Sequence, residues 1–219
     1  LHVLRVGCPW RDMQERYGKW NSVYVRFRRL AEKGVWDALL QTLVDLSLTD
    51  DWHHMIDSTS FAAMFRQRAE KGGLCERSWS ITRRVYGKIH ARCDNQGLPL
   101  GFTLTGGEAS DYTAAELLME IPLHANALRA DKSYDGDRLR ESLLIRGILP
   151  IIPPRSNRKA PEHPDYFRYR DRNRVERMFG KLKQQRRIAT RYDETVLSFE
   201  SFLNLAAARL WLKPCVNTA

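Results

Sequence analysis

The sequence predicts an α/β protein: a mixed sheet with helices on its faces, preceded by a small all-helical region over residues 1–48, with the sheet-bearing domain over 49–219. Three observations carry this. Apolar residues recur at helical spacing before residue 48. Beyond residue 52 short apolar runs of strand length appear. These runs then alternate with helical stretches, in the order strand, strand, strand, helix, strand, helix, strand, helix. The 219 residues allow one ordinary domain with a small satellite, and a chain of this size buries roughly 70% of its unfolded surface. At 43% hydrophobic and 28% charged, the composition excludes a disordered tail or a fibre. No apolar run reaches the ~18 residues of a membrane span.

In the first region Val23, Phe27 and Leu30, then Val35, Leu39, Leu40 and Leu43, keep the helical repeat, and Gly34 separates the two runs in a helix-turn-helix-like arrangement. Trp52 to Ile56 is a short strand ending at Asp57. The charged segment from Arg66 to Arg84 contains Gly72-Gly73 and reads as a loop. Val85–Cys93 and Leu98–Leu104 form a hairpin through Asp94-Asn95-Gln96-Gly97. Ser110-Asp111 opens a helix to Glu120. Ala127–Ala130 is a strand ending at Asp131, and Asp135 or Asp137 caps a helix over Arg138–Arg146 that Gly147 closes. Ile148–Ile152 is the fifth strand. Residues 153–164 are a Pro-rich linker, a long basic helix starts near Arg168, and an apolar helix spans Ser198–Leu212.

The net charge is +10, from 36 Lys+Arg against 26 Asp+Glu, which points to a polyanionic partner. Most of it is local. Residues 168–191 hold ten Lys/Arg and two acids, a net +8. Charge so concentrated suits phosphates and makes binding strongly salt-dependent; a solvated helix face is the plainer alternative, but such faces mix both signs. Four scattered cysteines without CxxC spacing suggest neither a zinc site nor a disulfide framework, and a reducing cytoplasm is expected. The sequence opens at Leu1 with its first Met at 13 and is expected to belong to a longer product.

Asp57 and Asp131 each follow an apolar run and precede polar residues. Taken singly, each reads most often as a turn former or cap. A third acid, Glu176, sits within the basic helix. At 100° per residue, Tyr169, Arg172 and Lys183 lie at about +20°, −40° and −20° from Glu176, so the four share one stripe. Val175, Phe179 and Leu182 make the neighbouring apolar stripe that can dock on the sheet. An ordinary i, i+4 pair between Arg172 and Glu176 is the alternative. Three carboxylates suit Mg²⁺, a hard cation that takes oxygen ligands, and two such ions about 3.5–4 Å apart support phosphoryl transfer. The six His lack metal-site spacing, and no Gly-rich nucleotide loop is present.

Tyr169-x2-Arg172-x3-Glu176-x6-Lys183 resembles the YREK signature of DDE transposases from bacterial insertion sequences, of the insertion-sequence-5 type within the insertion-sequence-4-like superfamily. Ile56-Asp57-Ser58-Thr59 resembles the family's first Asp motif, and Ala130-Asp131-Lys132-Ser133-Tyr134-Asp135 its second. Pro9-Trp10-Arg11-Asp12 and Trp20-Asn21-Ser22-Val23-Tyr24 resemble the helical region before the catalytic domain.

The resemblance implies a ribonuclease-H-like fold with Asp57, Asp131 and Glu176 as catalytic ligands of two Mg²⁺ ions, Mn²⁺ substituting. It implies nicking of DNA at terminal inverted repeats and transfer of the freed 3′-hydroxyl into target DNA. Tyr169, Arg172 and Lys183 would contact that DNA. The basic stretch adds Arg174, Arg177, Lys181, Arg186 and Arg187 to the expected DNA-facing wall. No membrane is expected, synapsis of two ends calls for a homodimer, and the expected location is the bacterial cytoplasm, at the nucleoid. Ser133 stands where relatives commonly carry Gly, and would strain a turn needing positive φ. The alternatives are a catalytically silent DNA-binding protein derived from a transposase, and a ribonuclease-H-type nuclease.

Overall fold

Strand β1 (His53–Met64) is the axis on which the other elements are arranged. The computed structural model describes residues 1–46, 53–64, 84–121, 125–193 and 195–216. The expected loop over 66–84 and the 48/49 boundary therefore fall outside the described residues, Arg84 excepted. Before β1 come helices α1 (His2–Val6), α2 (Trp20–Glu32) and α3 (Val35–Leu46), the last two separated by Gly34 at φ 67°. After it come β2 (Arg84–Cys93), β3 (Pro99–Gly106), α4 (Asp111–Met119), β4 (Ala127–Arg129), α5 (Asp137–Ile145) and β5 (Leu149–Ile151). The remainder is α6 (Tyr166–Tyr169), α7 (Asn173–Lys183), α8 (Arg186–Ala189), β6 (Thr190–Arg191) and α9 (Val196–Val216).

The sheet order is β3-β2-β1-β4-β5, with β6 also on β1. β1 pairs antiparallel with β2 over Met55↔Cys93 to Met64↔Arg84, and β2 pairs antiparallel with β3. On its other edge β1 has two short parallel partners. β4 covers His53 to Met55, and β6 covers only Ala62 and Ala63. Between them, among the described residues, residues 56–61 of β1 have no strand alongside on that edge. Asp57 lies in this gap, inside the strand and not at its end as the sequence suggested, because the alternation of side chains continues through Ser58, Thr59 and Ser60 into buried Phe61.

Period-two alternation sorts β1 between two cores. Met55 and Phe61 face Val175, Met178, Phe179 and Leu182 of α7 and Phe199, Phe202 and Leu203 of α9. Ile56 faces α4 and α5 through Leu118, Leu139 and Leu143. The first 46 residues share the first core, where Val3, Leu4 and Phe27 are buried, and Leu40 and Val44 pack with Ala207 and Trp211 of α9.

The β2–β3 hairpin turns as the sequence predicts. The Asp94 carboxylate accepts the Gln96 and Leu98 amides at 2.9 and 2.7 Å, and Gly97 takes φ 78°. Two other expectations are corrected. The N-cap of α5 is Gly136 with no side-chain cap, so neither Asp135 nor Asp137 caps it. The basic helix is not continuous: α6 and α7 are joined by a 3-10 turn, Arg170–Arg172, and α8 is a separate turn. Residues 153–164 carry no helix or strand, as the sequence predicts for a linker, and they are pinned to the fold, because buried Asp135 accepts the Arg155 amide and the Arg158 guanidinium, both at 2.8 Å.

Candidate active site

The site forms where α7 crosses the gap in β1. Asp57 and Thr59 are two residues apart and project to the α7 side, as Met55 and Phe61 do. α7 is held there by Val175, Met178, Phe179 and Leu182, all buried, which turns the Arg172–Glu176–Lys183 stripe towards the strand. Arg172 Nη1 donates to Asp57 Oδ2 at 3.1 Å, and its Nη2 to Glu176 Oε1 at 2.6 Å. Lys183 Nζ donates to Thr59 Oγ1 at 2.5 Å. The Arg172 guanidinium lies 5.9 Å from the centre of the Tyr169 ring.

Asp131 reaches the same place from β4. Asp131 follows two residues after the Met55↔Arg129 pair that ends β4, and its charge acts on Asp57, Arg172 and Tyr169. Its carboxylate accepts the Lys132 amide and caps the 3-10 turn Lys132–Tyr134. Ser133 sits in that turn without strain, since no described non-glycine residue has positive φ. The plain readings of these residues are thus also present: Asp131 is a cap, and Arg172–Glu176 is an i, i+4 pair.

Electrostatics separate the acids by environment. The Asp57 side chain is 16% exposed and that of Glu176 56%. Burial pushes the Asp57 carboxyl above its ordinary value; the Ser58 amide, 2.8 Å from Oδ1, and Arg172 oppose this, while Asp131 and Glu176 add to it. Burial likewise raises the Tyr169 phenol, against the pull of Arg172. Among the described residues, no three of His, Cys, Asp and Glu stand close enough together as placed to hold one ion. The cation among these carboxylates is Arg172.

The expected DNA-facing residues divide. Arg177, Lys181 and Arg186 are exposed. Arg187 is not: 4% exposed, it pairs with Asp193 through Nε and Nη2 at 3.1 and 2.8 Å, donates to the Cys8 carbonyl, and lies over Trp10 and Phe202. Its charge is spent inside the fold, which corrects its assignment to the DNA wall. Arg174 is tied to the hairpin turn through the Asn95 carbonyl at 2.5 Å, with Asp171 3.6 Å away.

Two supporting groups escaped the sequence reading. Behind Asp57, Ser58 Oγ donates to Asp111 Oδ1 at 3.1 Å, and Lys88 Nζ donates to the same oxygen at 3.2 Å. Buried His90, its pKa lowered by burial, meets Thr105 at 2.8 Å. Beside Asp131, Arg155 donates to the Lys132 and Ser133 carbonyls at 3.1 and 2.5 Å. The available signal was the alternation of β1, which sends Ser58 to the opposite face from Asp57. No local signal marks Arg155.

Comparison with known proteins shows the family and the fold. Residues 1–40 match the family described as "Putative transposase of IS4/5 family", and residues 49–211 match "Transposase DDE domain". The chain is 35% identical over 130 residues to the "Putative transposase for insertion sequence element IS6501" of Brucella ovis, covering 58% of this chain and 98% of that protein. It is 30% identical over 142 residues to the "Putative transposase for insertion sequence element IS402" of Burkholderia cepacia, of which it spans 63%. Among solved structures, the piggyBac transposase in a synaptic complex with hairpin DNA aligns with a TM-score of 0.54 at 12% identity, over 85% of this chain and 52% of that one. That likeness shows the fold, the ribonuclease-H-like mixed sheet with flanking helices. Matched across residues 49–211, the chain belongs to the family of transposases with a DDE domain, whose general activity is DNA strand cleavage and transfer.

Proposed function

We propose that this chain nicks DNA at the terminal inverted repeats of a bacterial insertion sequence and passes the freed 3′-hydroxyl to target DNA, with Asp57, Asp131 and Glu176 as ligands of two Mg²⁺ ions, Mn²⁺ substituting. The observation that supports it best is the convergence of Asp57 and Glu176, from a strand and a helix distant in sequence, on one guanidinium. A cation already fits between them, and the donors are all carboxylate oxygens, the set a hard divalent ion prefers. Bound Mg²⁺ would supply charge stabilisation to the phosphoryl oxygens. The protein's own work is positioning. The Ser58 amide orients Asp57, the 3-10 turn orients Asp131, and exposed Glu176 is free to re-aim once Arg172 turns away.

Tyr169, Arg172 and Lys183, with the exposed Arg177, Lys181 and Arg186, would meet the DNA backbone. Synapsis of two ends supports a homodimer, and the substrate places the protein at the nucleoid. The helical region over 1–48 would contribute to DNA binding or serve the catalytic domain over 49–219 as an accessory. No helix among the described residues is long and apolar enough to cross a membrane. The test is nicking of a duplex carrying the terminal inverted repeats in Mg²⁺. Wild type cuts, while Asp131→Ala and Glu176→Gln bind the duplex without cutting. Equal cutting by Glu176→Gln would sink the site; binding without cutting by wild type would favour the catalytically silent DNA-binding reading.

A further inference from the structure

Arg172 occupies an unusual position for a residue expected to hold DNA. Both of its terminal nitrogens are committed to carboxylates, one to Asp57 Oδ2 and one to Glu176 Oε1. Its side chain is 17% exposed, so little of the guanidinium is offered to solvent. The oxygens it holds are two of those the proposed ions would need. A divalent ion is disfavoured there while Arg172 remains, because the guanidinium already takes a lone pair of each oxygen and would repel the ion at close range. A phosphate cannot take both nitrogens in the fork geometry arginine favours while the carboxylates hold them.

We propose that Arg172 is a displaceable occupant of the metal site, so that metal and DNA each favour the other's binding through this one side chain. This rests on the functional reading above and adds a regulation to it. Two arrangements follow. In one, the guanidinium bridges Asp57 and Glu176, one of their two negative charges is offset, and neither ligand is held well. In the other, Arg172 has swung out to a phosphate, and Asp57 and Glu176 face the ion. Each ligand selects the second arrangement, so the coupling is reciprocal and equal in both directions. Lys183 provides the contrast. Its amine is spent on the Thr59 hydroxyl and, among the described residues, on no carboxylate, so removing it releases none of the three proposed metal ligands.

The experiment titrates the full chain with Mn²⁺, free metal being counted by its electron paramagnetic resonance signal, with and without a short duplex whose own metal uptake is subtracted. Arg172→Gln should bind Mn²⁺ more tightly than wild type in the absence of DNA, by roughly 5- to 150-fold, the usual span of a coupling between sites. Adding the duplex should tighten Mn²⁺ binding markedly in wild type and much less in Arg172→Gln. Lys183→Ala should weaken DNA binding yet leave Mn²⁺ affinity without DNA unchanged. Thermal melts of each variant establish that it is folded before it is compared. The proposal is overturned if Arg172→Gln binds Mn²⁺ as wild type does, if Lys183→Ala tightens Mn²⁺ equally, or if the DNA effect is the same in both proteins. Failure of wild type to take up Mn²⁺ even with DNA would instead overturn the functional reading itself.

Discussion

At the scale of single residues, identical side chains in one basic stretch do different work because their surroundings differ. Arg177 is exposed, whereas Arg187, ten positions on, is sealed between Asp193 and the aromatic faces of Trp10 and Phe202. A buried ion pair deprived of one partner leaves an uncompensated charge. Arg187→Ala should therefore lower the stability of the chain by about 3–5 kcal/mol, and by calorimetry melt well below wild type. Arg177→Ala should melt like wild type but reduce the slope of log affinity for DNA against log salt by about 0.9 for each phosphate that Arg177 neutralises. If the two variants exchanged these signatures, the division of the basic stretch into interior and surface would be wrong. Asp57 shows the same dependence on surroundings: burial raises its carboxyl, and only the Ser58 amide and Arg172 draw it back.

Among elements, the segment after β5 shows how a stretch without periodicity becomes part of a site. Arg155 joins Asp135 to the turn carrying Asp131, Arg158 joins Asp135 to Asp137, and Arg140 Nη2 donates to the Ile152 carbonyl at 2.7 Å. Burial alone would raise the Asp135 carboxyl, but the Arg155 amide and the Arg140 and Arg158 guanidiniums outweigh it and hold the pKa below its ordinary value of 3.8. A depressed carboxylate contributes stability above its unfolded pKa and loses it as pH falls through the lower, folded value. Asp135→Asn should thus cost about 1.5–3 kcal/mol at neutral pH, the worth of hydrogen bonds to a charged group. The difference in Tm from wild type should close as the pH drops below 3.8. A gap that persisted unchanged in acid would mean that packing, and not the charge of Asp135, holds the segment.

Over the whole molecule, the helical region and the sheet domain are packed as one body. Phe27 stacks on Phe202 with centroids 4.3 Å apart, Asn204 of α9 donates to Asp37 of α3, and Leu40 and Val44 of α3 pack with Ala207 and Trp211 of α9. Deleting residues 1–46 should uncover Phe202, Ala207 and Trp211 and leave a chain that binds a hydrophobic dye and lacks sharp near-ultraviolet dichroism, the mark of lost specific packing. A deletion variant with a cooperative melt and native dichroism would show that the sheet domain stands alone. The sequence by itself determined the order of helices and strands through β5, the hairpin at Asp94–Gly97 and the concentration of positive charge, because periodicity, turn chemistry and composition are written in local spacing. Only the tertiary structure decided that Asp57 lies inside a strand, in a gap between β4 and β6. It also decided that Asp135 binds the linker, that Arg187 faces inward, and that Arg172 rests on the acids it accompanies. These depend on partners such as Asp57 and Arg172, 115 residues apart, and local spacing carries no record of which distant groups the packing of α7 and α9 will bring together.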